Sequence, residues 1–231
     1  MDIETFQNAG QGITIKSSVL TEACKKMAVG LAITAVIAYG SYTTGLYATV
    51  AAKVPLLWLI FLIVQVVLTH VMCTGLNGGT SVQTMTTMFV VYSVMMGFTM
   101  AGLGYTYNLG EIGVSLGITA VYFGCLAIVG KTTKTDLSKL GTLCAIALLA
   151  MLVSQIIMMF VGVSTDTRLW SVIGLLIFTG LTAWDVQKMS RLSYSYETDR
   201  LAMYFALQLY LDFINIFLYI LRLMASRDNK R

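Results

Sequence analysis

The stretch "FALQLYLDFINIFLYILRL", residues 205–223, sets one carboxylate, Asp212, inside a helix-length run of apolar side chains. It does not stand alone. Tyr204, Gln208, Asp212, Asn215, Tyr219 and Arg222 follow one another at steps of four, four, three, four and three. At 100° per residue they fall within an arc of about 80° on one helix face. The rest of the helix is almost entirely Leu, Phe, Ile and Ala. Such a stripe cannot comfortably face lipid, because a central Asp costs about 2.5–3.5 kcal/mol on insertion scales. It is expected to face a bundle interior, a water-filled cavity or a partner carboxyl or amide, which makes this a central helix.

The remainder of the chain supports a membrane setting. Of 231 residues, 57% are hydrophobic and 11% charged, with a single proline; a soluble domain carries about 25% charged residues. The mean hydropathy is +0.79. This composition predicts an all-α integral membrane protein and points away from a nucleic-acid partner. Crossing a bilayer takes about 20 apolar residues, and seven segments qualify: 27–48, 54–74, 82–104, 109–130, 140–163, 168–190 and 200–223. The expected organisation is a polar N-terminal segment (1–26), a seven-helix domain (27–223) and a basic tail (224–231). No cleavable signal peptide is expected, since the first 24 residues are polar and mixed.

Local signals refine the boundaries. Pro55 suits a first helical turn. Thr80 with Gln83, and Asn108 with Glu111, have capping-box spacing, which gives Glu111 an ordinary role as a helix cap. Gly113 with Gly117, and Gly97 with Ala101, have the small-residue spacing that lets membrane helices approach closely. Cys24, Cys73, Cys125 and Cys144 show no paired spacing and read as small hydrophobes. Lys and Arg outside the spans divide nine to six in favour of the N-terminal side, so the N-terminus is expected in the cytoplasm. The basic tail opposes an outside C-terminus; either it crosses, or the last segment is re-entrant.

Among the apolar segments the best partner for Asp212 is Asp185, in "FTGLTAWDVQKM" (178–189), since the sixth and seventh helices are antiparallel. Lys188, three residues on, offers Asp185 a plain salt bridge instead. Two carboxyls held together in low dielectric share one proton and titrate as a unit. Singly protonated, such a pair ties two helices; doubly ionised, it repels itself and attracts a cation. Carboxylate and amide oxygens suit a hard ion such as Ca²⁺, so Asp185 and Asp212 are also the candidates for a transient metal contact. The amides Gln65 in the second span and Gln155 in the fifth read as interhelical glue; His70 also lies in the second span. His70 and Cys73 are one turn apart but lack the further ligands a metal site needs; His70 near the aspartates would supply a counter-charge.

Four stretches then occur in a familiar order: "VYSVMMGFTMAGLGYTYN" (91–108), "GKTTKTDLSKLG" (130–141), "IFTGLTAWDVQKM" (177–189) and "ALQLYLDFINIFLYILRL" (206–223). Together they resemble the Bax inhibitor (transmembrane Bax-inhibitor-motif, YccA-like) family over about residues 54–223. The resemblance implies seven helices with the seventh at the centre. It implies a pH-sensitive calcium leak channel rather than an enzyme, with Ca²⁺ and protons as cargo and signal and no cofactor. Its sensor would be Asp185 and Asp212; Gln208, Asn215, Tyr219 and Arg222 of the stripe, with Gln65 and His70, are the candidate pore or supporting polar residues. Many members carry a glutamate where this chain has Gln65, and a basic latch further along that helix, for which His70 is the nearest substitute.

Two other functions compete. An intramembrane aspartyl protease also uses two membrane aspartates, but "TAWD" and "LYLD" lack a GxGD-type stretch. A non-conducting regulator, with a membrane protease or another membrane protein as partner, is compatible with every feature above. The short termini favour a bacterial plasma (inner) membrane.

Overall fold

The apolar segments form helices, as their length and hydropathy require. The computed structural model describes residues 3–54, 57–75, 80–161, 167–192 and 198–228. Within these are eight α-helices: α1 (Ile3–Thr43), α2 (Leu46–Lys53), α3 (Leu57–Thr74), α4 (Val82–Met100), α5 (Leu109–Thr132), α6 (Ser138–Val161), α7 (Thr167–Leu192) and α8 (Thr198–Asp228). A 3-10 turn, Ala101–Tyr105, continues α4, and no strand occurs among the described residues.

The expected count of seven spans is not reached among the described residues. Six helices contain stretches long and apolar enough to cross a membrane: Val19–Thr43, Val82–Tyr105, Leu109–Thr132, Ser138–Gln155, Arg168–Met189 and Asp199–Ala225. The second expected span, 54–74, is represented by the shorter apolar helix Ile60–Thr74. The first differs at both ends. Its helix begins at Ile3 and runs unbroken through the 26/27 boundary. It stops at Thr43, where Gly45 takes a left-handed φ of 68° and starts the separate short helix α2. That conformation is open to glycine without steric penalty. A re-entrant last segment would need a break, and α8 has none over 31 residues.

The caps also shift. α4 is capped by Ser81, whose Oγ accepts from the Thr84 amide at 3.1 Å, one residue beyond the expected Thr80–Gln83 box. Asn108 immediately precedes α5, and Glu111 sits in its first turn. Pro55 lies outside the described residues.

The chain divides into two compact units, Met1–Asn108 with Leu192–Tyr210, and Leu109–Arg191 with Leu211–Arg231. In the first, α1 and α4 pack at their glycines. A Cβ on Gly30 would stand 2.5 Å from the Phe89 ring, and one on Gly97 would stand 2.7 Å from the Thr34 carbonyl oxygen. In the second, Phe123 of α5 meets Phe213 of α8 at 5.6 Å between ring centroids. Gly130, Gly141 and Gly174 lie against Val186, Trp184 and Tyr219. The Gly97 expectation therefore holds. Gly113 and Gly117 do not follow theirs: both are exposed with open space where a Cβ would stand. Spacing alone does not make a helix contact; a facing helix must be there.

Candidate functional site

α8 contributes side chains to both units, and no residue from Leu201 to Leu221 is exposed. Five of the six stripe residues are therefore interior, Arg222 being the exception, and the six have different surroundings. In the first unit, the half-buried Gln208 donates from Nε2 to Cys73 Sγ at 3.6 Å. In the second, Asn215 turns back on its own helix, its Nδ2 donating to the Leu211 carbonyl at 2.8 Å. Tyr219 is buried, with its ring seated over Gly174 and 5.9 Å from the Phe178 ring. The Arg222 guanidinium lies 5.7 Å from that Tyr219 ring and is exposed.

Asp212 has the most demanding position. It is 5% exposed, and its Oδ2 is buried without a hydrogen-bond partner. Asp185 of α7, 6% exposed, acts on it electrostatically from within the same unit. Thr182, one turn before Asp185 and fully buried, brings its hydroxyl to Asp212. That hydroxyl donates to the Phe178 carbonyl at 2.7 Å. Lys188, the expected salt-bridge alternative, places its Nζ 4.8 Å over the Trp184 ring and lies near enough to act on Asp185 as well. A buried carboxyl pair with one unsatisfied oxygen is expensive unless it holds a proton or meets a cation.

Gln65 and His70 lie on α3, in the first unit. Gln65 buries its amide nitrogen without a partner, whereas His70 is exposed. Gln155 is exposed on α6, so it does not glue helices together. None of the four cysteines is in a disulfide; Cys144 is buried and Cys125 exposed. Among the described residues no three His, Cys, Asp or Glu side chains gather as a metal site.

Three residues of consequence escape a reading by spacing. Thr182 carries a faint signal, being three residues ahead of Asp185 on the same helix. Tyr210 interrupts the apolar face of α8 and could have been questioned there. Gln187 follows Asp185 by two and looks like an ordinary helix-end amide, yet it is 7% exposed and fully engaged.

Comparison with known proteins bears on this arrangement. A family model described as "Inhibitor of apoptosis-promoting Bax1" matches residues 16–229. The chain belongs to this Bax-inhibitor family. It is 34% identical over 224 residues to an uncharacterized protein of Borreliella burgdorferi, covering 95% of this chain and 96% of that one. It is 34% identical over 206 residues to an uncharacterized protein of Deinococcus radiodurans, covering 87% of each. It is also similar to the inner membrane protein YbhL of Escherichia coli K12, 31% identical over 214 residues, with 87% of this chain and 88% of YbhL covered. This member of the Bax-inhibitor family is an integral membrane protein, in keeping with its composition and the six long apolar helices among its described residues.

Proposed function

We propose that the protein is a pH-sensitive leak pathway for a hard cation, Ca²⁺ by preference, gated by the Asp185–Asp212 pair. The observation that carries this reading is the unsatisfied Oδ2 of Asp212 beside a second buried carboxyl. With one proton shared, the pair is a hydrogen-bonded tie between α7 and α8. Thr182 stands beside the pair: its hydroxyl donates to the Phe178 carbonyl at 2.7 Å, and a hydroxyl oxygen can also accept from a protonated carboxyl. When the shared proton leaves, two like charges remain in a low-dielectric interior. They repel each other and attract a cation to oxygen ligands. Rising pH therefore opens the pathway, and falling pH closes it.

Among the described residues the pair has no further acidic ligand to make a tight metal site, which fits passage better than storage. Membership of the Bax-inhibitor family and the inner-membrane location printed for YbhL support a bacterial inner membrane as the setting. The test is Ca²⁺ flux into proteoliposomes across a pH series for wild type, Asp185→Asn and Asp212→Asn. Flux that rises with pH in wild type and loses that dependence in either variant is expected. A pH profile identical in all three proteins would remove the pair from gating.

A further inference from the structure

The segment of α7 that carries Asp185 is held by a different element at almost every residue. Gly130, on the last turn of α5, lies so close that a Cβ there would stand 2.5 Å from the Ala183 carbonyl oxygen and 2.9 Å from Val186 Cβ. Gly141, on the first turn of α6, accommodates the Trp184 ring. Asp185 is near enough to Asp212 of α8 to act on it electrostatically.

Gln187 is then fastened to the loop between α5 and α6. Its Nε2 donates to the carbonyls of Thr133 at 3.2 Å and Thr135 at 2.7 Å. Its Oε1 accepts from the Leu137 amide at 2.8 Å and from Arg191 Nη2 at 3.2 Å. Four bonds are the full capacity of a primary amide. Arg191 closes the assembly from one turn further on, pairing with Asp136 Oδ1 at 2.9 Å, and Asp136 Oδ1 also accepts from the Ser138 amide at 2.9 Å.

We infer that Gln187, with Arg191 and Asp136, is a positioning clamp that sets where Asp185 stands against Asp212, and through it the pH at which the pair changes state. The inference rests on the proposed gating role of the pair. α7 cannot slide or rotate at Asp185 without straining the Gln187 bonds, because only one residue of helix lies between them. Conversely, a change of state at the pair is felt in the 133–138 loop. The charged groups acting on Asp185 are Asp212 from α8 and Lys188 on its own helix; α5 and α6 present Gly130 and Gly141 to this stretch.

The experiment compares wild type, Gln187→Leu, Asp136→Asn and Asp185→Asn by two measurements. One is the pH midpoint of Ca²⁺ flux in proteoliposomes. The other is amide hydrogen exchange of residues 133–138 in the same pH range, corrected for intrinsic rate. Gln187→Leu should shift the flux midpoint by about half a pH unit or more, roughly threefold in proton activity. Asp136→Asn, which weakens the exposed ion pair with Arg191 and the bond from the Ser138 amide, should shift it less and in the same direction. Loop exchange in wild type should change across the midpoint and lose that change in Asp185→Asn.

Unshifted midpoints in both clamp variants, together with loop exchange indifferent to Asp185→Asn, would overturn the clamp. If Asp185→Asn abolishes the flux response while the clamp variants match wild type, the clamp fails and the gate stands. If flux is indifferent to Asp185→Asn while loop exchange follows it, the gate fails and the mechanical link survives.

Discussion

Two residues apart on α8, Tyr210 and Asp212 are both buried polar groups, and they end in opposite situations. Tyr210, in the first unit, is 0% exposed, and its hydroxyl lies 2.6 Å from Thr34 Oγ1. Thr34 in turn reaches the carbonyls of Gly30 at 2.9 Å and Ser93 at 3.0 Å. Phe89 and Tyr92 stand edge-on to the Tyr210 ring at 5.5 and 5.9 Å. Asp212, in the second unit, keeps an oxygen with no hydrogen-bond partner among the described residues. A neutral hydroxyl whose bonds are complete has nothing to gain from a change of state; it fastens α8 to α1 and α4. An incomplete carboxyl gains from a proton or a cation, so it can switch. Under the proposed gating role, one polar centre holds the helices and the other senses.

The largest effect is expected at Asp212. Asp212→Asn removes the titrating group while keeping its shape, so flux in proteoliposomes should lose its pH dependence while thermal unfolding in detergent changes little. Next is Gly97→Val, which forces atoms against the Thr34 carbonyl and Ile37. It should cost about 1–3 kcal/mol by overpacking, read as a lower unfolding temperature. Gly117→Ala, in open space, should leave that temperature unchanged.

Tyr210→Phe sharpens the comparison most directly. Losing one hydrogen bond should cost about 1 kcal/mol and leave the flux midpoint where it was. A shifted midpoint with unaltered stability would reverse the two roles.

A smaller effect follows from Asp136, in the loop outside the spans. Its hydrogen bonds to Ser138, and then the Arg191 guanidinium, hold its carboxyl below the usual range. A carboxylate depressed in the folded state contributes stability at neutral pH and loses it as pH falls through the lowered value. In Asp185→Asn, exchange of the 133–138 amides should therefore stay slow from neutral pH down through the ordinary carboxylate range, and quicken only in stronger acid. A response near neutrality thus does not come from Asp136. The smallest effect is at the exposed His70: His70→Ala should match wild type in flux midpoint, and a difference would restore it as a latch.

Much of this was legible beforehand. Hydropathy and length marked the apolar helices, because desolvating a peptide backbone leaves a membrane segment few alternatives to a helix. The 3.6-residue period turned Asp212 into part of a buried stripe, and antiparallel neighbours pointed to Asp185. The stripe was less uniform than its spacing suggested. Asn215 bonds its own helix and Arg222 is exposed, because a helical face says which way a side chain starts, not what it finds.

By itself, then, the sequence determined the membrane class, the helices and the placement of two carboxyls where water is scarce. Tertiary structure decided the rest. It put a helix against Gly97 and Gly130 but none against Gly117, and it moved the α4 cap to Ser81. It brought Thr133 and Thr135, more than 50 residues away, onto Gln187. The physical reason is that burial and period are properties of one helix and can be read along it. Whether a buried polar atom is completed or left wanting depends on which atoms other helices and loops bring within about 3 Å.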